Sequence, residues 1–406
     1  MSTTSSTDSP SSSPSLSPRE PLAAISSSKG NHVKTSTWTK ALAGIAAASL
    51  VLSGCSSSED TTTGEAADVS GAQAFADQYE AAPTDLVLTT PLSKAPDEGK
   101  YVISIETPQP ISSAKNDAIQ KAADVLGWRY QRVLMGTDAE AAPKAMDQAI
   151  ALKPDAIHIS GTPLTMLTKQ IASAETAGIP VVADSIAGDP VPGVISTALD
   201  GDAQVQEWGK MVASQVVADS NGEANVAIFS ITDYSILNVF TDAFTAQLES
   251  QCPDCKVQLV NQQVTDLGTK TPQSVVSTLQ RDPTINYAVF SFGDLVLGVD
   301  AALRGASLQD QVTFAGQTPT PDNLQSLKDG DNSVWVGFPV QILGWRVLDT
   351  LARQFNGDDV AEADAAFMPT QLLNKDNIEA AVLDEETGYY VGVADYQDQF
   401  KTLWKK

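Results

Sequence analysis

From residue 101 to residue 337, short apolar runs alternate with longer amphipathic stretches, and this alternation limits the folds open to the chain. The apolar runs suit buried strands, and the stretches between them suit helices. Predicted strands occupy Tyr101–Ile105, Tyr130–Leu134, Ala156–Ile159, Pro180–Ala183, Val194–Thr197, Asn225–Phe229, Val257–Val260, Tyr287–Phe290, Val312–Ala315 and Val334–Gly337. Predicted helices occupy Ser113–Leu126, Ala141–Leu152, Leu164–Ala177, Ala203–Ala218, Val239–Glu249, Ser274–Gln280, Leu295–Arg304 and Ile342–Phe355.

Strand–helix alternation of this kind is typical of parallel sheets that are covered by helices on both faces. Ten predicted strands are too many for one small lobe. The chain has 406 residues, and single cores usually stop growing at about 250–300 residues. The sequence therefore predicts an α/β fold with two doubly wound, Rossmann-like lobes.

The N-terminal segment has the features of an export signal. Residues 1–40 are rich in Ser, Thr and Pro, and an apolar run from Ala41 to Leu52 follows Lys40. This run is too short to span a bilayer of ~30 Å but suits the apolar region of a signal peptide. It leads to Leu52-Ser-Gly-Cys55, which resembles a bacterial lipobox. We expect a signal peptide over 1–54, lipidation of Cys55, and a tether with an N-terminal extension over 55–98. The segment before the apolar run is unusually long for a signal peptide, and a signal peptide of ordinary proportions would begin at Val33-Lys34. We therefore hypothesise that translation starts at Val33.

Composition excludes several function classes. The net charge is −25, from 50 acidic and 25 basic residues, so the surface repels nucleic acid. Only two histidines and three cysteines are present, too few for a soft-ligand metal site once Cys55 is lipidated. The sequence carries no nucleophile elbow, dinucleotide-binding fingerprint or P-loop. These observations predict a protein without catalytic residues, metal or cofactor.

Two further features have a structural interpretation. Cys252-Pro-Asp-Cys255 has the spacing of a redox motif, but an oxidising exterior favours a local structural disulfide between the two cysteines. His158 lies within a predicted buried strand, and we expect a hydrogen-bonded interior histidine there.

Several short stretches, taken in order, resemble ribose-type periplasmic binding proteins. They are Lys121-Ala-Ala-Asp-Val-Leu-Gly-Trp128, Pro154-Asp-Ala-Ile157, Ala177-Gly-Ile-Pro-Val-Val182 followed by Asp184, Ala288-Val-Phe290 leading to Asp294, and Val312-Thr-Phe-Ala-Gly316. The resemblance covers about residues 100 to 370. It implies two lobes joined by three crossovers, near Asp200, 338–341 and Thr370. The implied first lobe is 99–199 plus 341–370, and the second is 200–340 plus 371–406, with a C-terminal extension.

In open α/β sheets, ligands bind beyond the carboxyl ends of the strands. Two facing lobes place these ends in one cleft, which predicts the ligand contacts. The predicted ligand-binding residues are Gln109, Ile111, Ser160, Thr162, Asp184, Ser185, Tyr234, Phe240, Phe292, Asp294, Thr318, Phe338 and Gln341.

The predicted contacts depart from the polar set that the resemblance implies for sugar ligands. Ser185, Phe240, Thr318 and Phe338 occupy positions where the family has Arg, Arg, Asp and Gln, while Asp184 and Asp294 are retained. A buried hydrogen bond to a ligand is worth about 1–3 kcal/mol, so a simple sugar would lose several such contributions. The substitutions favour a less polar ligand, such as an aromatic, terpenoid-like or alkyl-bearing polyol molecule, alongside a sugar-like one.

The resemblance implies a monomeric, lipid-anchored, extracytoplasmic solute-binding protein that delivers a small molecule to the permease of an ABC importer. One alternative is a sensor of the same fold that passes a signal to a membrane receptor. Another is an exported hydrolase, which would turn its ligand over.

Overall fold

The computed structural model describes residues 68–138, 140–331 and 333–406. The predicted signal peptide and the lipidation site Cys55 lie outside these residues. Within the described part of the chain, no helix combines the length and apolar character needed to cross a membrane.

Eleven strands and twelve α-helices form two lobes from the described residues. The strands are β1 Tyr101–Glu106, β2 Arg129–Leu134, β3 Ala156–Ser160, β4 Val181–Asp184, β5 Val194–Ser196, β6 Asn225–Ser230, β7 Lys256–Asn261, β8 Tyr287–Phe290, β9 Thr313–Gln317, β10 Val334–Gly337 and β11 Gln371–Leu373. The helices are α1 Ser70–Ala76, α2 Pro110–Leu126, α3 Ala141–Ala151, α4 Thr168–Thr176, α5 Asp202–Asp219, α6 Ser235–Gln251, α7 Thr271–Arg281, α8 Val299–Ala306, α9 Pro321–Lys328, α10 Val340–Asn356, α11 Ala361–Ala365 and α12 Tyr396–Leu403.

Each lobe has its own sheet. The first sheet has the order β2-β1-β3-β4-β5 and is parallel throughout. The second has the order β11-β10-β9-β8-β6-β7 and is parallel except for β11, which pairs antiparallel with β10. The predicted α/β fold with two parallel lobes is therefore confirmed. Strand β11 was not predicted because three residues are too few to show a pattern.

Local sequence explains how the helices begin and end. Helix α2 has Pro110 at its first position, where the missing N–H costs no hydrogen bond. It ends before Gly127, whose φ of 70° is the left-handed cap that glycine adopts without a Cβ clash. The buried face of α2 packs against α10. Apolar side chains on this face join a core that continues into the second lobe.

The chain passes between the two lobes three times. Residues 197–201 lead from β5 of the first sheet to α5, which packs on β9, β10 and α6 of the second lobe. Residues 338–339 lead from β10 back to α10, which packs on α2 and β4. Residues 366–370 lead from α11 to β11. These short segments are the positions at which the lobes can rotate relative to each other.

The C-terminal segment differs from the sequence-based assignment of 371–406 to the second lobe. Only its beginning, β11, lies in the second sheet. Helix α12 returns to α10 of the first lobe, where Trp404 stacks on Trp345 with ring centroids 5.1 Å apart. Trp404 Nε1 donates to the buried carboxylate of Asp349 at 2.8 Å. Trp345 of α10 contacts Tyr396, Phe400 and Trp404. Their spacing of four residues indicates an aromatic helix face, but it does not indicate which lobe that face meets.

The N-terminal extension also contacts both lobes. Helix α1 packs on α5 of the second lobe. Further along, Leu92 N donates to Leu403 O, and Arg353 donates to Thr90 O, which ties the extension to α10 and α12 of the first lobe. Together with the C-terminal return, this adds two connections between the lobes to the three crossovers.

Candidate functional site

A cavity of about 130 Å³ lies between the two lobes at the carboxyl ends of their strands. Loops after β1, β3 and β4 supply its first-lobe wall, and α5, α6 and the loops after β8, β9 and β10 supply its other walls. Its lining residues are Thr107, Gln109, Ile111, Ser112, Lys115, Ser160, Gly161, Ser185, Asp200, Val205, Trp208, Tyr234, Ile236, Leu237, Phe292, Gln317, Thr318, Phe338 and Val340.

The structure brings most of the predicted ligand-binding residues to this cavity. Eight of the thirteen line it: Gln109, Ile111, Ser160, Ser185, Tyr234, Phe292, Thr318 and Phe338. They come from both lobes and from the second crossover. The cavity therefore lies at the carboxyl ends of the parallel strands, where these residues were predicted to meet.

Three of the remaining predicted residues are buried in the lobes. Phe240 is fully buried in the second-lobe core, with its ring centroid 6.3 Å from that of Phe244. It does not line the cavity. Asp184 is also fully buried and lies behind the cavity wall. Gln341 donates to Thr387 Oγ1 at 3.2 Å in the C-terminal segment instead of facing the cavity.

The other two predicted residues line outer cavities of the same cleft. Asp294 borders a cavity of about 580 Å³, and Thr162 borders one of about 260 Å³. Gly293, which precedes Asp294, has no room for a side chain, since a Cβ would lie 2.5 Å from Asn323 Oδ1. Asp294 makes no hydrogen bond through Oδ2 within the described residues, and burial raises the pKa of its carboxyl to about 6.

Lys115 is the main functional candidate that the sequence prediction missed. It lies on the buried face of α2, with 4% of its surface exposed, and it borders the cavity. Its Nζ donates to Ser160 Oγ and to Asp184 Oδ1, both at 2.5 Å. The signal in the sequence is a lysine four residues after Ile111 and three before Ala118, on an otherwise apolar helix face.

A buried hydrogen-bond chain extends behind Lys115. His158 Nε2 lies 2.8 Å from Asp184 Oδ2, and His158 Nδ1 lies 2.6 Å from Ser104 Oγ. Burial lowers the pKa of His158, so the imidazole is neutral; it donates to Asp184 and accepts from Ser104. Lys115 and His158 overcome the effect of burial and hold the pKa of Asp184 well below its usual range. His158 is therefore the hydrogen-bonded interior histidine that the sequence predicted.

The Ser104–His158–Asp184 chain has the residue types of a hydrolase triad but not its accessibility. Ser104 is the fourth residue of β1 and is fully buried. It does not line the cavity. A nucleophile needs contact with the bond that it attacks, and the Ser104 hydroxyl has none.

Asp200 links the first crossover to the cavity wall. Its carboxylate accepts hydrogen bonds from Ser185 N at 2.6 Å and Ser185 Oγ at 2.7 Å. Burial, together with the nearby charge of Asp184, raises the pKa of Asp200 to about 6. Ser185 has a left-handed backbone with φ of 53°, and so does Thr318 on the opposite wall, with φ of 50°. Such conformations in residues other than glycine cluster at binding sites.

The second-lobe side of the cavity is mostly apolar. Trp208 and Phe338 meet edge to face with ring centroids 5.5 Å apart. Three polar atoms on this side have no hydrogen-bond partner among the described residues: Trp208 Nε1, Gln317 Oε1 and Thr318 Oγ1. Buried polar atoms normally have partners. Because all three residues line the cavity, we take these atoms as candidate contacts of a ligand.

The lobes touch across the cleft at Gln109 and Tyr234. Gln109 Nε2 donates to Tyr234 Oη at 3.2 Å, from the loop after β1 to the start of α6. Gln109 borders both the inner cavity and the larger outer one. Tyr234 borders the inner cavity and the smaller outer one. This hydrogen bond therefore lies where the inner cavity meets the two outer cavities of the cleft.

Comparison with known proteins agrees with this geometry. Residues 101–359, more than half of the chain, match the family described as periplasmic binding protein domain. The chain belongs to this family. Periplasmic binding proteins are extracytoplasmic transport proteins and in general not enzymes.

Solved structures of periplasmic binding proteins share the fold of this family member. A sugar ABC transporter structure from Yersinia enterocolitica subsp. enterocolitica 8081 is similar with a TM-score of 0.63 at 17% identity, covering 77% of this chain and 98% of that chain. An ABC transporter solute-binding protein from Agrobacterium vitis with bound allitol is similar with a TM-score of 0.60 at 22% identity, covering 70% and 98%. An ABC sugar transporter subunit from Rhodobacter sphaeroides 2.4.1 has a TM-score of 0.60 at 21% identity, covering 69% and 99%. A search of curated proteins found no sequence match.

Cys252 and Cys255 form the predicted disulfide after α6, with a Cα–Cα distance of 5.3 Å. It lies outside the cavity lining.

Proposed function

We propose that this protein is an extracytoplasmic solute-binding lipoprotein that captures a small molecule and delivers it to the permease of an ABC importer. The observation that carries this proposal is the cavity between the lobes, which apolar and polar side chains of both lobes line. Membership of the periplasmic binding protein family supports the transport role. The protein acts as a monomer without a cofactor or metal, and its acidic surface disfavours nucleic acid.

The mechanism is closure of the two lobes around the ligand. A ligand that contacts both lobes binds the closed form more tightly than the open form, and this difference shifts the population toward closure. The crossovers at 197–201, 338–339 and 366–370 supply the hinge. Residues of the first two, Asp200 and Phe338, also line the cavity, so the hinge itself contacts the ligand. The loaded, closed form then docks on the permease.

The lipid anchor is part of the proposal. Cleavage before Cys55 and lipidation of its thiol would hold the protein at the outer face of the membrane, with the segment from Ser56 to Asp68 as a spacer. Mass spectrometry of the membrane fraction tests this step. We expect a lipid-modified N-terminal peptide that begins at Cys55 and that Cys55→Ser abolishes.

The ligand proposed from the cavity is less polar than a free sugar, although a neighbour of this fold holds allitol. Phe292, Phe338 and Trp208 supply aromatic surface, and Ser185 and Thr318, where the family resemblance implies Arg and Asp, supply only small polar side chains. A mixed apolar and polar lining suits a compact ring that bears few polar groups.

A ligand screen by thermal unfolding tests the proposed function. The full chain carrying Cys55→Ser is mixed with sugars, polyols, aromatic alcohols and terpenoid alcohols. A ligand at 100 times its Kd adds about 2.7 kcal/mol of stability. Ile111→Trp, which fills the cavity, should abolish the shift, whereas Leu259→Trp on the exposed face of β7 should retain it. Chemical conversion of the ligand, measured by mass spectrometry, would contradict a transport role and favour a hydrolase.

A further inference from the structure

The first-lobe wall of the cavity contains one buried cation. Lys115 reaches the wall from α2, and its ammonium group is held by Ser160 Oγ and Asp184 Oδ1 at 2.5 Å each. A lysine ammonium has three N–H donors, so these two bonds leave one donor. Because Lys115 borders the cavity, that donor is available to a ligand atom.

The charge of this cation is already balanced. The titratable groups around it are Asp184, His158 and Asp200. Asp184 is ionised and pairs with Lys115. His158 is neutral. Asp200 adds negative charge above its pKa of about 6. The wall therefore has no positive charge left to compensate a carboxylate ligand, and a buried anion without compensation is costly.

The opposite wall supplies complementary polar atoms. Gln317 Nε2 donates to Ser291 O at 2.8 Å, and its Oε1 has no partner within the described residues. Trp208 Nε1 likewise has no partner there. A ligand that satisfies all three groups offers acceptors to Lys115 and Trp208 and a donor to Gln317. One or two hydroxyl groups meet this requirement, because each can accept and donate.

The volume indicates the size of the group that fits beside Lys115. An engineered apolar cavity of about 150 Å³ in another protein holds benzene. The 130 Å³ between the lobes is close to this value. It accommodates one ring with one or two small substituents.

We propose that Lys115 is a specificity-determining residue: it donates a hydrogen bond to an uncharged oxygen of the ligand, and its pairing with Asp184 makes the protein select a neutral, hydroxylated ring compound over the matching carboxylate. This inference rests on the proposed function and names the class of ligand. Lys115 donates a hydrogen bond, but Asp184 balances its positive charge. The cavity therefore favours an uncharged ligand over a carboxylate.

Matched pairs of ligands test the inference. Benzyl alcohol is compared with benzoate, and glucose with glucuronate, by calorimetry at pH 7.5 with the full chain carrying Cys55→Ser. We expect the neutral member of a bound pair to bind at least tenfold more tightly than the acid. Asp184→Asn releases the charge of Lys115 and should raise the affinity for the acid at least tenfold, reversing or removing the preference. A merely structural role of the pair would leave the preference unchanged.

A second variant covers the case in which Asp184→Asn does not fold. Lys115→Met together with Asp184→Asn removes both charges and keeps an acceptor for His158. It should fold, lose about tenfold in affinity for the neutral ligand, and gain nothing for the acid. Tighter binding of the acid by the unsubstituted protein, or an unchanged preference in both variants, would overturn the inference while leaving the transport function intact. Binding of no compound, in these pairs or in the wider screen, would instead reject the proposed function and the inference with it.

Discussion

Two buried aspartates, one in each lobe, lie in opposite electrostatic surroundings. Asp184 ends β4 in the first lobe and contacts Lys115 and His158, which hold its pKa well below its usual range. Asp294 follows β8 in the second lobe and has no charged partner among the described residues. Burial alone raises the pKa of Asp294 to about 6. The carboxyl of Asp184 therefore belongs to a buried ion pair, whereas the carboxyl of Asp294 is unpaired within the described residues.

This difference extends to the two walls of the cavity. The first-lobe wall is polar, and most of its groups are satisfied before a ligand arrives, as the hydrogen bonds of Lys115, Ser160 and Ser185 show. The opposite wall is apolar and keeps unpartnered polar atoms on Trp208 and Gln317. On the proposed function, we expect the first lobe to orient the ligand and the second lobe to supply apolar contact on closure.

Breaking the ion pair of the first lobe should have the largest effect. Asp184→Asn leaves the Lys115 charge buried without a partner, which costs about 3–5 kcal/mol of the free energy of unfolding at pH 7. Since the pKa of Asp184 is lowered, its contribution is complete above ~3.9 and is lost as the pH falls through the folded-state value. Urea denaturation at pH 7 and at pH 2.5 measures both effects.

The control for this variant is Asp117→Asn. Asp117 pairs with Arg132 at 2.5 Å, but its side chain is 53% exposed, and exposed pairs contribute only about 0–1 kcal/mol. Equal losses in the two variants would contradict the contrast between a buried and an exposed pair.

The unpaired carboxyl of the second lobe should respond in the opposite direction. Asp294 releases its proton near pH 6 in the folded state and near pH 3.9 when unfolded, so wild-type stability falls as the pH rises through this window. Asp294→Asn removes the cost and should stabilise the protein by up to about 3 kcal/mol at pH 7.5. At pH 4 the gain should nearly vanish.

Thermal and urea unfolding at the two pH values test this prediction, with Asp310→Asn as the exposed control. A variant that is less stable than wild type at pH 7.5 would show that Asp294 has a stabilising partner. The contrast with Asp184 would then fail.

The apolar wall should control affinity more than stability. Phe292→Ala removes aromatic surface that borders the cavity, and burying such a side chain is worth about 1.5–3 kcal/mol. We expect the Kd for the ligand to rise between about 10-fold and 100-fold. Calorimetry measures the change. Phe367→Ala, in the third crossover and 43% exposed, is the control and should leave the Kd within twofold of wild type (about 0.4 kcal/mol).

The smallest effect is expected from one hydrogen-bond donor. Trp208→Phe keeps most of the ring and removes Nε1–H, which should weaken ligand binding by about 1 kcal/mol, or roughly fivefold. Trp335→Phe is a matched control, because Trp335 is equally buried and its Nε1 also lacks a partner among the described residues. It lies in β10 away from the cavity. Similar losses of affinity in both variants would mean that Trp208 does not contact the ligand.

Sequence reasoning predicted the two lobes and the cavity position because both depend on local periodicity and on the geometry of parallel strands. It predicted Asp184 as a ligand contact but not its pairing with Lys115, 69 residues earlier. That pairing depends on how α2 packs beside β3 and β4. The apolar face of α2, interrupted by one lysine, was the available signal.

Sequence reasoning also placed Phe240 and the end of the chain wrongly, because both positions depend on tertiary packing. An aromatic residue on a helix has the same pattern whether it faces a cavity or a core, and Phe240 is buried in the core beside Phe244. The return of α12 to the first lobe depends on Trp404 and Trp345, which are 59 positions apart.

The most direct test of this account is a crystal structure with the tightest ligand from the screen. The account predicts electron density in the cavity between the lobes, with a ligand oxygen within hydrogen-bond distance of Lys115 Nζ and the apolar part of the ring against Trp208 and Phe338. Density in an outer cavity beside Asp294, or a ligand turned with its apolar part toward Lys115, would contradict it.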